Sequence, residues 1–133
     1  MRRIDLYFLI LAALCLITGV MMGIGMGIAH DFQFAPVHAH LNLLGWTSLA
    51  LFGLTYKAYP ALAQSRLALL HFTLAAPSAV VFPVGIYISI AHQFPGVAIA
   101  ASLMWLAGVI LFATNLVRLA LGRSERLVLV PAE

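Results

Sequence analysis

Charge is nearly missing from this chain. Seven residues are Lys or Arg and four are Asp or Glu, 8% of 133, where a soluble domain carries roughly a quarter. A chain this short can bury one small core in water, but not a composition that is 64% hydrophobic. A water-soluble globular domain is thereby excluded, and an integral membrane protein is expected. Cysteine is equally scarce: Cys15 is the only one, so no disulfide can form within the chain. The net charge of +3 does not point to nucleic acid, because the basic residues fall at helix ends, where membrane topology explains them. A small-residue cleavage site after a short apolar core is also missing. The first apolar segment runs about 23 residues, too long for a signal core, and is read as retained.

What is present is four apolar stretches. A helix needs about 20 apolar residues to cross the hydrocarbon core. The expected architecture is an all-α integral membrane four-helix bundle forming one domain over 1–133, with helices at about 5–28, 38–59, 66–91 and 96–121. Polar and helix-breaking residues separate them: His30-Asp31-Phe32-Gln33 with Pro36, Tyr59-Pro60 with Gln64-Ser65-Arg66, and Gln93-Phe94-Pro95-Gly96. Arg2 and Arg3 precede the first helix, Lys57 and Arg66 flank the second connection, and Arg118, Arg123 and Arg126 end or follow the fourth. The other two connections hold no Lys or Arg. The positive-inside rule then puts both termini in the cytoplasm and the 29–37 and 92–95 loops outside.

Two patterns concern packing. Gly19, Gly23 and Gly27 recur every four residues along the first helix, with Gly25 between them. Small residues at that spacing let helix backbones approach closely. The stripe can serve packing within the chain, or offer a flat face to a partner helix or a cofactor ring. Pro77 and Pro83 lie inside the third helix, where a kink and freed carbonyls are expected.

The chemistry lies with histidine. Ionisable side chains at membrane depth are functional-site candidates by default, and imidazole ligates haem iron, copper and zinc. His30, His38, His40 and His92 fall on the outward side, opposite the basic residues. His71 lies 21 residues before His92, about 30 Å along a helix, so those two cannot share one small metal site. His38 and His40 are two positions apart on the second helix, hence about 200° apart around a regular helix. They can serve two sites on opposite faces, but not one ion, unless the first turn is irregular. His30 alone fits the headgroup level. His71 fits a hydrogen-bonded structural role as well as a ligand role. Asn42 could bond an imidazole or a haem propionate, Trp46 could pack on a macrocycle, and Tyr87 could donate into the same outer cavity as His92. For Asn42 and Trp46, interhelical hydrogen bonding and plain packing account for the residue at least as well. Met21, Met22 and Met26 read as filler, with soft copper(I) ligation as the alternative.

The string from His38 through Ala39, His40, Leu41, Asn42, Leu43, Leu44 and Gly45 to Trp46 resembles the haem-copper oxidase superfamily. His40 with Asn42, Leu43 and Leu44 looks like the low-spin haem ligand of the second helix of subunit I in the nitric oxide reductase and cbb3-type branches. The His-x-His spacing looks like the tenth helix, whose two histidines bind two haems on opposite sides. Strong similarity covers about ten residues; the rest matches in hydropathy alone. That subunit has twelve helices in three four-helix arcs, so the resemblance implies one arc here and a homotrimer rebuilding twelve. Haem b would then be ligated by His40 of one protomer and His38 of its neighbour. The rival is a haem within one protomer, on His40 and His92 at equal depth. The resemblance also implies the inner membrane of a bacterium and a quinol or cytochrome redox partner.

Departures from the family bear on activity. No two histidines are adjacent, no histidine is followed four residues later by tyrosine, and 38–121 contains no acidic residue. Copper-site and proton-relay chemistry is therefore not expected, and whether the chain is an enzyme stays open. Bis-His haem suits electron transfer, since no coordination position is left for substrate. Two other readings stand beside this one: a copper- or zinc-binding module using His38, His40, His92 and His30, and a structural subunit of a respiratory complex.

Overall fold

The computed structural model describes the backbone of residues 3–128 and the side chains through Gly122. Among these residues all regular structure is helical. The first helix, α1 (Ile4–Ala29), carries Asp5 in its first turn, where a carboxylate complements the positive end of the helix. It closes at His30, which takes a left-handed conformation (φ 51°) and sends its N–H to the Met26 carbonyl.

The second segment departs most from expectation. Helix α2 (Ala35–His40) begins three residues before position 38, with Pro36 in its first turn. Proline is harmless there, because first-turn N–H groups have no intrahelical partner. The residue read as a breaker therefore starts the helix, and His38 and His40 lie within it. The chain then widens into a π-helix over Leu41–Ser48 and returns to α-helix in α3 (Leu49–Ala58). A short helix, α4 (Pro60–Ala63), occupies the connection that follows. The Ser65 hydroxyl caps the next helix, α5 (Arg66–His92), by accepting the Ala68 N–H at 3.0 Å. Helix α5 remains one helix through Pro77 and Pro83 and ends at Gln93, again left-handed (φ 55°). The last helix, α6 (Gly96–Val128), continues past the expected end at 121. Three helical stretches, α1, α5 and the first 27 residues of α6, are long and apolar enough to cross a membrane.

Helix α1 lies along the 35–58 segment, and α5 pairs with α6. The second pairing is close at Gly85, where a Cβ would stand 2.6 Å from the Ala98 nitrogen. The two pairs meet through the π stretch, α2 and a cluster of aromatic side chains. That core gathers toward the end of the molecule holding Arg3, Lys57, Arg66 and Arg118, and includes Phe8, Phe52, Tyr56 and Leu62. Arg2, Arg123 and Arg126, which also enter the topology argument, lie outside the described side chains. Toward the other end α1, α2 and α5 separate around an apolar cleft of about 490 Å³, with Cys15, Met22, Val37, Leu41, Pro83 and Tyr87 in its walls.

Candidate functional site

The expected rotation between His38 and His40 is realised. His38 lies on α1: its Nδ1 is 3.0 Å from the Gly19 carbonyl, and a Cβ at Gly23 would stand 3.0 Å from its Cε1. His40 lies toward α5, its ring centroid 5.1 Å from that of Phe82. Its Nδ1 is 2.8 Å from the carbonyl of Pro36 one turn earlier. A carbonyl only accepts, so in both residues Nδ1 carries the proton and donates. In both, the lone pair is then on Nε2, which has no hydrogen-bond partner among the described residues. A histidine that ligates a metal through Nε2 has this tautomer, fixed by the bond its other nitrogen makes.

The glycine stripe explains how His38 is held. A Cβ at Gly19 would stand 2.6 Å from the Asn42 amide nitrogen, so the missing side chains at 19 and 23 are the space that Asn42 and His38 occupy. Gly25 and Gly27 have nothing within 4 Å of such a Cβ. The stripe thus serves packing within the chain over its first two members. Asn42 donates to the His38 carbonyl at 2.9 Å, within the turn where α-helix gives way to π-helix. Its amide nitrogen also lies 3.4 Å from His38 Nδ1, but that nitrogen already donates to Gly19, so this contact is not a hydrogen bond.

The remaining sequence candidates are not gathered with this pair. Phe82, beside His40, precedes His92 by ten residues on α5, which separates His40 and His92 by about 15 Å along the helix axis. The equal depth expected of them is not found, because α2 starts earlier and pairs with α5 in a deeper register. His92 and His30 are exposed at the end of the molecule opposite the arginines. Tyr87 packs against Phe34, with ring centroids 5.0 Å apart and the rings tilted by 37°. Trp46 packs against the core cluster. Met22 lines the apolar cleft and Met21 is exposed. Neither His38 nor His40 lines that cleft; Val37 and Leu41 of the same segment do. Among the described residues no three His, Cys, Asp or Glu side chains come together as a metal site.

A second polar feature is His71, whose partners the sequence does not reveal. His71 is fully buried, its Nδ1 2.9 Å from the Tyr56 hydroxyl. Its Nε2 is the one buried side-chain nitrogen or oxygen without a partner among the described residues. Four rings surround it: Phe52 edge-on at 4.5 Å, Phe112 at 5.1 Å, Phe8 at 5.2 Å and Tyr56 at 5.8 Å between centroids. These come from α1, α3 and α6, so no spacing along one helix joins them. The available signal was the placing of Tyr7 and Phe8 early in α1, of Phe52 and Tyr56 late in the 35–58 segment and of Phe72 early in α5, all toward the basic end.

A search of protein-family models, curated proteins and solved structures finds no match to this chain.

Proposed function

We propose that this chain is a haem-binding membrane protein in which His38 and His40 supply iron ligands, and that its role is electron transfer. The observation that carries the reading is the shared tautomer: two imidazoles at the head of one segment, each with Nδ1–H tied to a carbonyl and Nε2 left to accept a metal. The Nδ1 bonds satisfy the N–H of an unligated imidazole as well; what suits iron is that Nε2 is left free in both. A haem held by two imidazoles exchanges single electrons, with the iron closed to substrate. The chain's own contribution is positional. Gly19 and Gly23 give His38 a flat bed, Asn42 fixes the turn beneath it, and Phe82 backs the His40 ring.

The divergence of the two histidines favours a haem between protomers. His38 faces α1 and His40 faces α5, so one iron cannot take both from the same chain. A homotrimer supplies His40 from one copy and His38 from the next, since in a closed ring two different faces of each copy meet. Four spans with both termini cytoplasmic complete the proposal: the 35–58 segment crosses with the three long helices, and the basic end faces inward. A copper or zinc module has less support, because no third ligand joins the pair among the described residues.

The test is an absorption spectrum of detergent-purified protein, oxidised and dithionite-reduced, with haem and protomer quantified. Sharp reduced α and β bands at about one haem per protomer are expected for low-spin bis-His coordination. His38→Gly and His40→Gly should each lose those bands and regain them with added imidazole, while His92→Ala keeps them. Protein made with ample haem supply that shows no Soret band overturns the reading.

A further inference from the structure

Four described side chains carry positive charge, and all four lie at one end of the molecule. They are not equivalent. Arg3 is 3.6 Å from Asp5. Arg66, at the first position of α5, and Arg118, late in α6, have no acidic partner among the described residues. Although 52 residues apart, they line one groove of about 480 Å³ between α4, α5 and α6. Lys57 lies elsewhere, in a smaller cleft with Arg3.

The groove is amphipathic. Leu62, Leu67 and Leu119 form its apolar wall, and Ser65 and the buried Asn115 add polar groups. The Ser65 oxygen accepts from Ala68, which leaves its O–H to donate. Asn115 donates to the Leu62 carbonyl at 3.3 Å and so ties α6 to α4 across the groove floor. Two guanidiniums without an acidic partner among the described residues, lining one groove beside apolar side chains, match the junction of a phospholipid, where an anionic phosphate meets acyl chains. Guanidinium suits such a phosphate because its planar fork can donate two parallel hydrogen bonds. Basic pockets between membrane helices on the cytoplasmic side recognise anionic headgroups in this way.

We infer that the Arg66–Arg118 groove is a binding site for an anionic glycerophospholipid, its phosphate held by the two guanidiniums and its acyl chains lying along Leu62, Leu67 and Leu119. Single arginines at the interface also attract anionic headgroups, so the groove is set apart by a preference that needs Arg66 and Arg118 together and does not need Lys57. The inference rests on the membrane-spanning reading but not on the haem, so a protein without a Soret band can still pass this test.

Native mass spectrometry of the full chain, delipidated in detergent and titrated with phosphatidylglycerol or phosphatidylcholine, decides the matter. Phosphatidylglycerol should be retained with a preference on the order of tenfold, as two basic residues acting together would give. Arg66→Gln and Arg118→Gln should each reduce the preference and the double variant abolish it, while Lys57→Gln, at the same end but outside the groove, leaves it intact. Equal retention of the two lipids by the wild-type protein overturns the inference without recourse to any variant. So does an undiminished preference in the double variant. Displacement of the lipid by millimolar inorganic phosphate would assign the groove to a soluble anion instead.

Discussion

His71 and Tyr56 form the hydrogen bond on which the aromatic core turns. A buried polar group left unpaired costs about 1–3 kcal/mol, whereas replacing both partners by apolar side chains of similar shape can be nearly neutral. His71 already carries one unpaired nitrogen. Removing the Tyr56 hydroxyl leaves both ring nitrogens unpaired. Tyr56→Phe should therefore destabilise the folded protein by about 1–3 kcal/mol, and Tyr56→Phe combined with His71→Phe should recover most of that loss. Reversible unfolding in mixed detergent, run as a double-mutant cycle, measures the coupling. Additive losses would show that the pair is not one unit. At this scale the sequence was legible where chemistry is rare. Five histidines in an apolar chain stand out, and the divergence of His38 and His40 followed from helix geometry alone. The partners of His71 were not legible, because they come from three other helices and no local spacing brings Phe8, Phe52 and Phe112 around it.

Three of the four expected helices were legible at the scale of elements; the winding of the 35–58 segment was not. Hydropathy located α1, α5 and α6 to within a residue or two, apart from the C-terminal extension of α6, because long apolar runs have few alternatives. The start of α2 was misjudged because proline both breaks helices and begins them; its place in the first turn depends on residues before it that carry no strong signal. The π stretch Leu41–Ser48 was invisible, since wider winding leaves no compositional mark. Its consequence is rotational. Each extra residue per turn shifts everything beyond it by about 100° relative to a regular helix. The stretch thus sets the angle between His38 and His40 on one side and Phe52 and Tyr56 on the other. Deleting Leu43, which is 60% exposed, should let 35–58 rewind as α-helix. Far-UV circular dichroism should then be retained while the haem bands and the packed core are not both kept. A deletion variant with unchanged haem spectrum and unchanged stability would show that the winding is dispensable.

The whole molecule is polarised from end to end. Arg3, Lys57, Arg66 and Arg118 share one end, and His30 and His92 share the other, with α1, α5 and α6 long enough to span the distance between them. If the basic end faces the cytoplasm, reporter fusions at either terminus should show cytoplasmic activity, and a cysteine placed at Gln93 should react with an impermeant thiol reagent added from outside. Labelling of the Gln93 position from the inside only would reverse the orientation. The trimer was suggested by a ten-residue resemblance. Its physical support is the divergence of the histidines, His38 toward α1 and His40 toward α5 of the same chain, rather than any feature read from the chain as a whole.

The ring cluster around His71 has a consequence for assembly. Helix α1 with the 35–58 segment is one antiparallel hairpin, and α5 with α6 is another, each closed by glycine contacts of its own. Phe8, Phe52 and Tyr56 belong to the first hairpin, while His71 and Phe112 belong to the second. The cluster therefore joins the two hairpins. A seam between membrane helices is held by packing and polar contact rather than by escape from water. The His71–Tyr56 bond crosses that seam, so the buried imidazole latches one hairpin to the other.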